Sequence, residues 1–520
     1  MIRYYYFFTI LINRFLLTKI NFNKVKNIEY NHDFSNIYFI DYEKIKKILF
    51  RQEININTID ENYFYYHSFN WIKVAKEIGG SELVKITRDK ILKWINHNDS
   101  FFLNFNNANL VAQRTLNLIY HFDFFGSSAK EQDKKLINFL IYKNYFFLKQ
   151  YIKFNKKYFH QSMEIKKAIL LFELIHKIKT DIIIGKIKNN LIADVSSNGM
   201  HFSMSPQIHA EYLNQLIEIK NIFLYFKLSP LKELDFQIIQ MIRVLKSFIH
   251  KDGTLAYFNG SNNFYINKVE KIISIEKDIK SKNLLNNKNG LSIFENQYLK
   301  IIFDSVLPLN KLINFGLHAS TLAFELSFNK EKIITNCGSL TIKKSKNPDY
   351  LRYSAAHSTI TLNNTNISEL VEKKSYKRAP TKVSFNVHEN DNEVIWESGH
   401  NGYEKNFKKI ITRKLIINKN EESIKGEDKI ISLSASNARI IFSSRFHLTP
   451  ICKAVLTRGK MSAIIKTKSY SYLFESDCEI NLEESIYIDG ENKIIKSTQI
   501  VIPGFVNKSR KTINWSISKY

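Results

Sequence analysis

The sequence predicts an α+β multidomain protein, helical in its first half and an antiparallel β-sandwich in its second. Three observations carry this. With 520 residues the chain exceeds what a single core usually organises. Its apolar residues make up 44% and its aromatics 13%, with only 16 Gly and 7 Pro, a composition of packed globular domains. The period of the apolar residues changes near residue 280, from helical to strand-like.

Residues 1–40 read as an N-terminal extension. The opening stretch MIRYYYFFTILINRFLLTKINF has Arg3, a short aromatic apolar run from Tyr4 to Ile12, then Arg14 and Lys19. It lacks an A-x-A-like cleavage site and fits an amphipathic first helix better than a cleaved signal peptide. No other stretch approaches the roughly 18 uncharged apolar residues of a membrane span.

Residues 41–280 read as consecutive amphipathic helices. Tyr212, Leu216, Ile219, Phe223 and Phe226 recur at spacings of three and four, as do Ile238, Met241, Leu245 and Phe248. Pro230 and Gly253 fall between such segments, where breakers belong. So many helices in succession must pack as a bundle, a solenoid or a closed ring of hairpins.

Residues 281–520 follow the polar stretch SKNLLNNKNG, with the boundary expected within about ten residues of Ser281. Segments such as KIITNCGSLTIKK, STITLNN and ARIIFSSRFHL are short, rich in Ile and Thr and separated by Asn, Gly and Asp turns, which is sandwich patterning.

Lys and Arg number 76 against 49 Asp and Glu, a formal charge of +27. Such a charge suits nucleic acid, an anionic membrane surface or an acidic polysaccharide. The lysines are dispersed rather than gathered into one arm with interleaved aromatics, which argues against nucleic acid. Cys337, Cys452 and Cys478 show no CxxC spacing and form no thiolate cluster by themselves; buried free thiols are expected, with a Cys452–Cys478 bridge open if the chain is exported.

Several short blocks then point to one family. Asn198 to His209 reads NGMHFSMSPQIH; His318 to Leu326 reads HASTLAFEL, followed by Thr335-Asn336-Cys337-Gly338 and by Ser354 to Leu362, SAAHSTITL. His67-Ser-Phe-Asn-Trp71, Lys251 to Gly260, His400 to Tyr403 and Lys425 to Asp428 extend the match over nearly everything after residue 60. In order and separation these blocks resemble the heparinase II/III family. That resemblance implies an incomplete α/α toroid followed by a β-sandwich, acting on an acidic, uronate-containing polysaccharide by β-elimination, in the periplasm of the bacterial cell envelope, or in the cytoplasm if the N-terminus is not an export signal. It says nothing of oligomeric state.

β-Elimination needs a group that neutralises the uronate carboxylate, a base for the C5 proton and an acid for the departing oxygen. By family position these roles fall to an Asn-His pair, a Tyr and a sandwich His. The pair maps to Phe159-His160, so His remains and Asn does not. The Tyr maps to Ile208; Tyr212, one turn on, shares its face and is the replacement, with His201 and His209 as neighbouring titratable groups. The expected catalytic set is therefore His160, His201, His209, Tyr212 and His318, lining a cleft between the domains. The family's divalent metal, zinc, would be held by His318, Asn336 and His357, but Asn stands where the family has an anionic Asp, which weakens the site. Arg114, Tyr257, Arg352, His400 and Tyr403 are the expected glycan-binding residues, and Lys73, Arg413 and Arg445 further candidates for gripping carboxylates or sulfates. The rival expectation is a glycan-binding or envelope-assembly protein that keeps the fold without the catalytic Asn and Tyr.

Overall fold

A computed structural model describes residues 22, 25–30, 33–34, 42–50, 61–97, 107–154, 162–288, 290–308, 316–340, 350–371, 375–434, 439–506 and 510–520. The chain forms two compact units, one of residues 1–196 with 212–238, the other of 197–211 with 239–520. The opening stretch to residue 21 and His160 lie outside the described residues.

The first unit is helical. It contains α1 (Tyr42–Phe50), α2 (Glu61–His67), α3 (Trp71–Ile78), α4 (Ser81–His97), α5 (Ala108–Tyr120), α6 (Phe122–Gly126), α7 (Glu131–Phe154), α8 (Met163–Ile175) and α9 (Asp181–Asp194). To these it adds most of α10 (Pro206–Tyr225) and the start of α11 (Lys232–Ser247). The helices start where caps are available. The Asn107 side chain accepts from the backbone N–H of Asn109 and Leu110 ahead of α5, and Ser162 accepts from Glu164 N ahead of α8. Successive helices pack on one another, α5 against both α7 and α8, and α8 against α9. None of the described helices is long and apolar enough to cross a membrane.

The second unit holds two eight-stranded antiparallel sheets. With β1 (Leu291–Glu295), β2 (Leu299–Asp304), β8 (Val383–Glu389), β9 (Glu393–His400), β13 (Lys453–Leu456), β14 (Ser462–Lys466), β15 (Ser471–Ser476), β17 (Ile494–Val506) and the strands given next, the order in the first is β1-β2-β3-β4-β12-β17-β16, with β5 also on β12, and in the second β13-β14-β15-β18-β11-β10-β9-β8. The strands that matter below are β3 (Phe324–Phe328), β4 (Glu331–Thr335), β5 (Ile360–Leu362), β10 (Lys409–Asn418), β11 (Ser423–Ser432), β12 (Ile440–Leu448), β16 (Asn481–Ile488) and β18 (Arg510–Lys519). Their inner faces meet in one core that includes Phe324, Phe446, Trp396, Trp515, Ile411, Leu415 and Ile513. β10 alternates buried and half-buried along its whole length, as a strand with one core face must.

β3 and β4 do not alternate; every residue of both is buried. The cover comes from residues 248–263, which belong to this unit although they precede the strands. His250 bonds Ser327 and Glu325, and Tyr257 donates its N–H to Glu325. Helix α12 (Ile266–Ile273) closes before Ser281 and β1 (Leu291–Glu295) opens after it. The change of period thus marks the change of secondary structure, whereas the division into compact units falls elsewhere: residues 197–211 and 239–280 pack with the sandwich. All three cysteines are free, Cys337 and Cys452 buried and Cys478 half-buried.

Candidate active site

The segment from Asn198 to His209 turns on Gly199, whose φ of 91° and close approach to the backbone of Gln240 in α11 admit no side chain. The turn folds His201 back onto α10. His201 N donates to His209 Nδ1 at 3.3 Å, and His209 Nε2 donates to Met241 O at 2.8 Å. Both nitrogens of His209 are thereby spent, its tautomer is fixed, and burial depresses it to about 4. His201 Nδ1 meets Ser203 Oγ at 2.8 Å. Both rings are enclosed within the second unit, so His209 serves as a strut between the turn and α11.

Tyr212 belongs to the first unit. Its hydroxyl donates to Asp194 Oδ2 at 3.2 Å, which Asn190 Nδ2 also bonds at 2.9 Å. Burial, reinforced by that carboxylate, pushes the phenol well above its usual range. The expected catalytic set is therefore divided: His201, His209 and His318 lie in one unit and Tyr212 in the other.

In the second unit the geometry centres on Glu325. It sits on β3 with no solvent exposure, and its two oxygens accept from six donors: Thr335 Oγ1 (3.1 Å), Asn336 N (3.0 Å), Asn336 Nδ2 (3.4 Å), His250 Nε2 (3.0 Å), Lys332 Nζ (2.8 Å) and Tyr257 N (3.0 Å). Burial alone would raise this carboxyl, but the Lys332 ammonium and the His250 ring outweigh it and hold Glu325 at about 2. Beyond Asn336, its Oδ1 accepts from Ser358 N at 3.1 Å, one residue from His357. His357 Nε2 in turn stands 3.2 Å from His318 Nδ1, with the rings 20° from parallel. The His318 backbone N–H is held by Asn259 Oδ1 at 3.1 Å.

His318, Asn336 and His357 are thus brought into one hydrogen-bonded patch, but they do not form a zinc donor set. Structural zinc takes four ligands, at least some of them anionic or supported by anions. Here there are two neutral imidazoles and an amide whose oxygen is already engaged. Among the described residues no group of three or more His, Cys, Asp or Glu side chains is arranged to hold a metal ion.

The expected glycan-binding residues require correction. Arg114 is fully buried in the first unit, where its guanidinium bonds His67 O and Asn144 Oδ1 over the Trp94 ring. Tyr257 is 1% exposed; its hydroxyl donates to Ile488 O, and its ring stacks on Tyr487 below Lys332. Tyr403 is wholly buried, donating to Thr365 O, and His400 Nδ1 accepts from Gly402 N. Each is buried, so none presents a face to a solvent-borne chain. Arg352, half-buried, clasps Leu317 O through Nε and Nη2 and so holds the loop that carries His318. Arg413 is spent on Asp428 and Arg445 pairs with Glu483, while Lys73 pairs with Glu77.

A concavity of about 410 Å³ on the outward face of the second sheet is lined by Lys414, Lys425, Glu427, Glu475, Asp477 and Asn514, among others. Its carboxylates outnumber its lysines, which does not favour a polyanion.

Sequence reasoning missed Glu325, Lys332 and His250. The signal was present: Glu325 falls inside the quoted HASTLAFEL block, a lone carboxylate among apolar strand residues.

Comparison with known proteins adds the following. Residues 285–516 match the family model described as heparinase II/III-like, C-terminal. A heparinase III structure superposes with TM-score 0.71 at 14% identity, over 98% of this chain and 89% of that one. A heparan sulfate lyase mutant from Pedobacter heparinus gives TM-score 0.62 at 15% identity, over 98% and 88%. No curated protein matches by sequence. The fold is therefore that of heparinase III, a helical region followed by antiparallel sheets, and is polysaccharide lyase-like.

Proposed function

We propose that the chain, whose residues 285–516 match the heparinase II/III-like C-terminal model and whose fold is that of heparinase III, engages an acidic, uronate-containing polysaccharide in the cell envelope, and that binding rather than cleavage is its principal activity. That match and the excess of 76 basic over 49 acidic residues support the ligand class. One observation favours binding: the hydroxyl of Tyr212, the expected replacement for the missing acid, is already engaged, and so is that of Tyr257, a second tyrosine considered for the role. The Tyr212 hydroxyl is committed to Asp194 and that of Tyr257 to Ile488 O, both buried.

The second reading, β-elimination, is supported by the retained His318–His357 contact in the blocks where the family keeps a histidine. A panel of uronate polymers separates the two. Retarded migration of the protein in gels containing the polymer, with no growth of unsaturated-uronate absorbance, is the expected result. Steady growth of that absorbance would establish the lyase instead, and absence of both would overturn the ligand class.

A further inference from the structure

We propose that the His318–Asn336–His357 patch is metal-independent, and that the Glu325 carboxylate, not a cation, is the charge that fixes its geometry. The distance between the imidazoles does not decide this. Two nitrogens about 2.0–2.1 Å from a tetrahedral zinc would stand roughly 3.4 Å apart, close to the 3.2 Å found. The surrounding groups decide it.

Asn336 cannot turn its oxygen toward an ion without losing the bond from Ser358 N, a backbone donor that fixes which end of the amide is which. Its Nδ2 then points to Glu325 Oε1, so the anion of this patch lies behind the amide and is shared with Lys332 and His250. His357 supplies the second argument. His357 Nε2 faces His318 Nδ1 at 3.2 Å, so one ring donates to the other and the two nitrogens that would have to bind an ion are spent on each other.

Glu325 thus takes over the organising task. By accepting from Thr335, Asn336 N and Asn336 Nδ2, it holds the end of β4 in register with Ser358, and so sets where His357 meets His318. It is a positioning residue, acting through Asn336.

The test uses the full chain, purified without chelator, as wild type, Glu325→Gln, Asn336→Asp and His357→Ala. Wild type is expected to carry substoichiometric zinc, to show no ligand-field absorption on titration with cobalt(II), and to melt at the same temperature with or without chelator. Asn336→Asp, which restores the anionic ligand beside a second carboxylate that a cation would neutralise, is expected to gain one cobalt(II) per chain. Glu325→Gln is expected to remain metal-free while the imidazole ¹⁵N resonances of His318 and His357 shift. One equivalent of zinc in wild type that is lost in His357→Ala overturns the proposal. An Asn336→Asp protein that stays blind to cobalt overturns the part assigned to Asn336, and a folded Glu325→Gln protein with unmoved imidazole resonances overturns the part assigned to Glu325. Should Glu325→Gln fail to fold, the wild-type zinc and cobalt measurements still decide metal independence.

Discussion

Replacing Arg413 by Ala should unfold the sandwich far more readily than any loss of glycan contact would suggest. The guanidinium has no solvent exposure; Nε and Nη2 grip both oxygens of Asp428 at 2.7 and 2.8 Å, and Nη1 donates to Leu322 O and Ser358 O at 3.0 and 2.8 Å. It also lies over the rings of Phe324, Phe446 and Trp515. Removing one partner of such a pair leaves a buried charge uncompensated, at a cost of about 3–5 kcal/mol. Asp428 would keep Ser444 Oγ at 2.8 Å and Trp515 Nε1 at 3.3 Å, which softens the loss. Two carbonyls stripped of a charged donor and the space left among three rings push the other way, so a total near 5 kcal/mol is expected. The double variant Arg413→Met with Asp428→Leu should recover most of it, since well-packed apolar pairs replace buried ion pairs at little net cost. Urea unfolding, followed by the near-ultraviolet circular dichroism of the buried tryptophans, measures both. A single variant within about 1 kcal/mol of wild type, or one of unchanged stability with weakened glycan binding, would refute the structural role and return Arg413 to the ligand.

Two further outcomes follow from the same geometry. Acid should destabilise the fold: His209 is depressed to about 4 and His400 to about 3, in both cases chiefly by burial, so between these values and the unfolded value of about 6.5 the unfolded chain binds more protons. Stability is full above pH ~6.5 and falls as pH drops toward 4, by on the order of 3 kcal/mol from His209 alone; melting temperatures at a series of pH values check this, and His209→Gln should flatten the profile. Gly338→Ala should cost about 2 kcal/mol or more, because its φ is 87° and a Cβ would lie 2.9 Å from the Tyr257 ring; equilibrium unfolding would reject this if the variant matched wild type.

The two halves of the fold were legible because each is written in a period. Tyr212, Leu216, Ile219 and Phe223 share the buried side of α10, and Ile238, Met241, Leu245 and Phe248 are buried likewise along and just beyond α11. What the period could not say is which unit a segment packs with. Residues 248–263 carry no strong pattern, yet they bury the outer side of β3 and β4. Read by period two, Glu325 and Ser327 face solvent while Phe324, Leu326 and Phe328 face the core. Only a cover contributed by a distant segment turns that outward row into a buried polar site, and such a cover leaves no local trace.

The arginines show the opposite case, where the trace existed and a family expectation obscured it. In KIITRKLIIN, Arg413 has the parity of Ile411, Leu415 and Ile417, all fully buried, and in SIKGEDKIIS, Asp428 has the parity of Ile424, Gly426 and Ile430. Two segments joined by the short turn around Lys419 and Asn420 form a hairpin whose inward faces carry Arg413 and Asp428 directly opposite in register, while Lys409, at the end of the same face, bonds Ser432 Oγ. A charge on the core side of a strand must be compensated locally, since leaving it bare costs several kcal/mol. Parity together with the hairpin register pairs Arg413 with Asp428 without any ligand. The same test applied to Arg114 within ANLVAQRTLNLIY, with Val111 and Leu118 on its face at helical spacing, places it inside the helical core, where the Trp94 face, His67 O and Asn144 Oδ1 receive it.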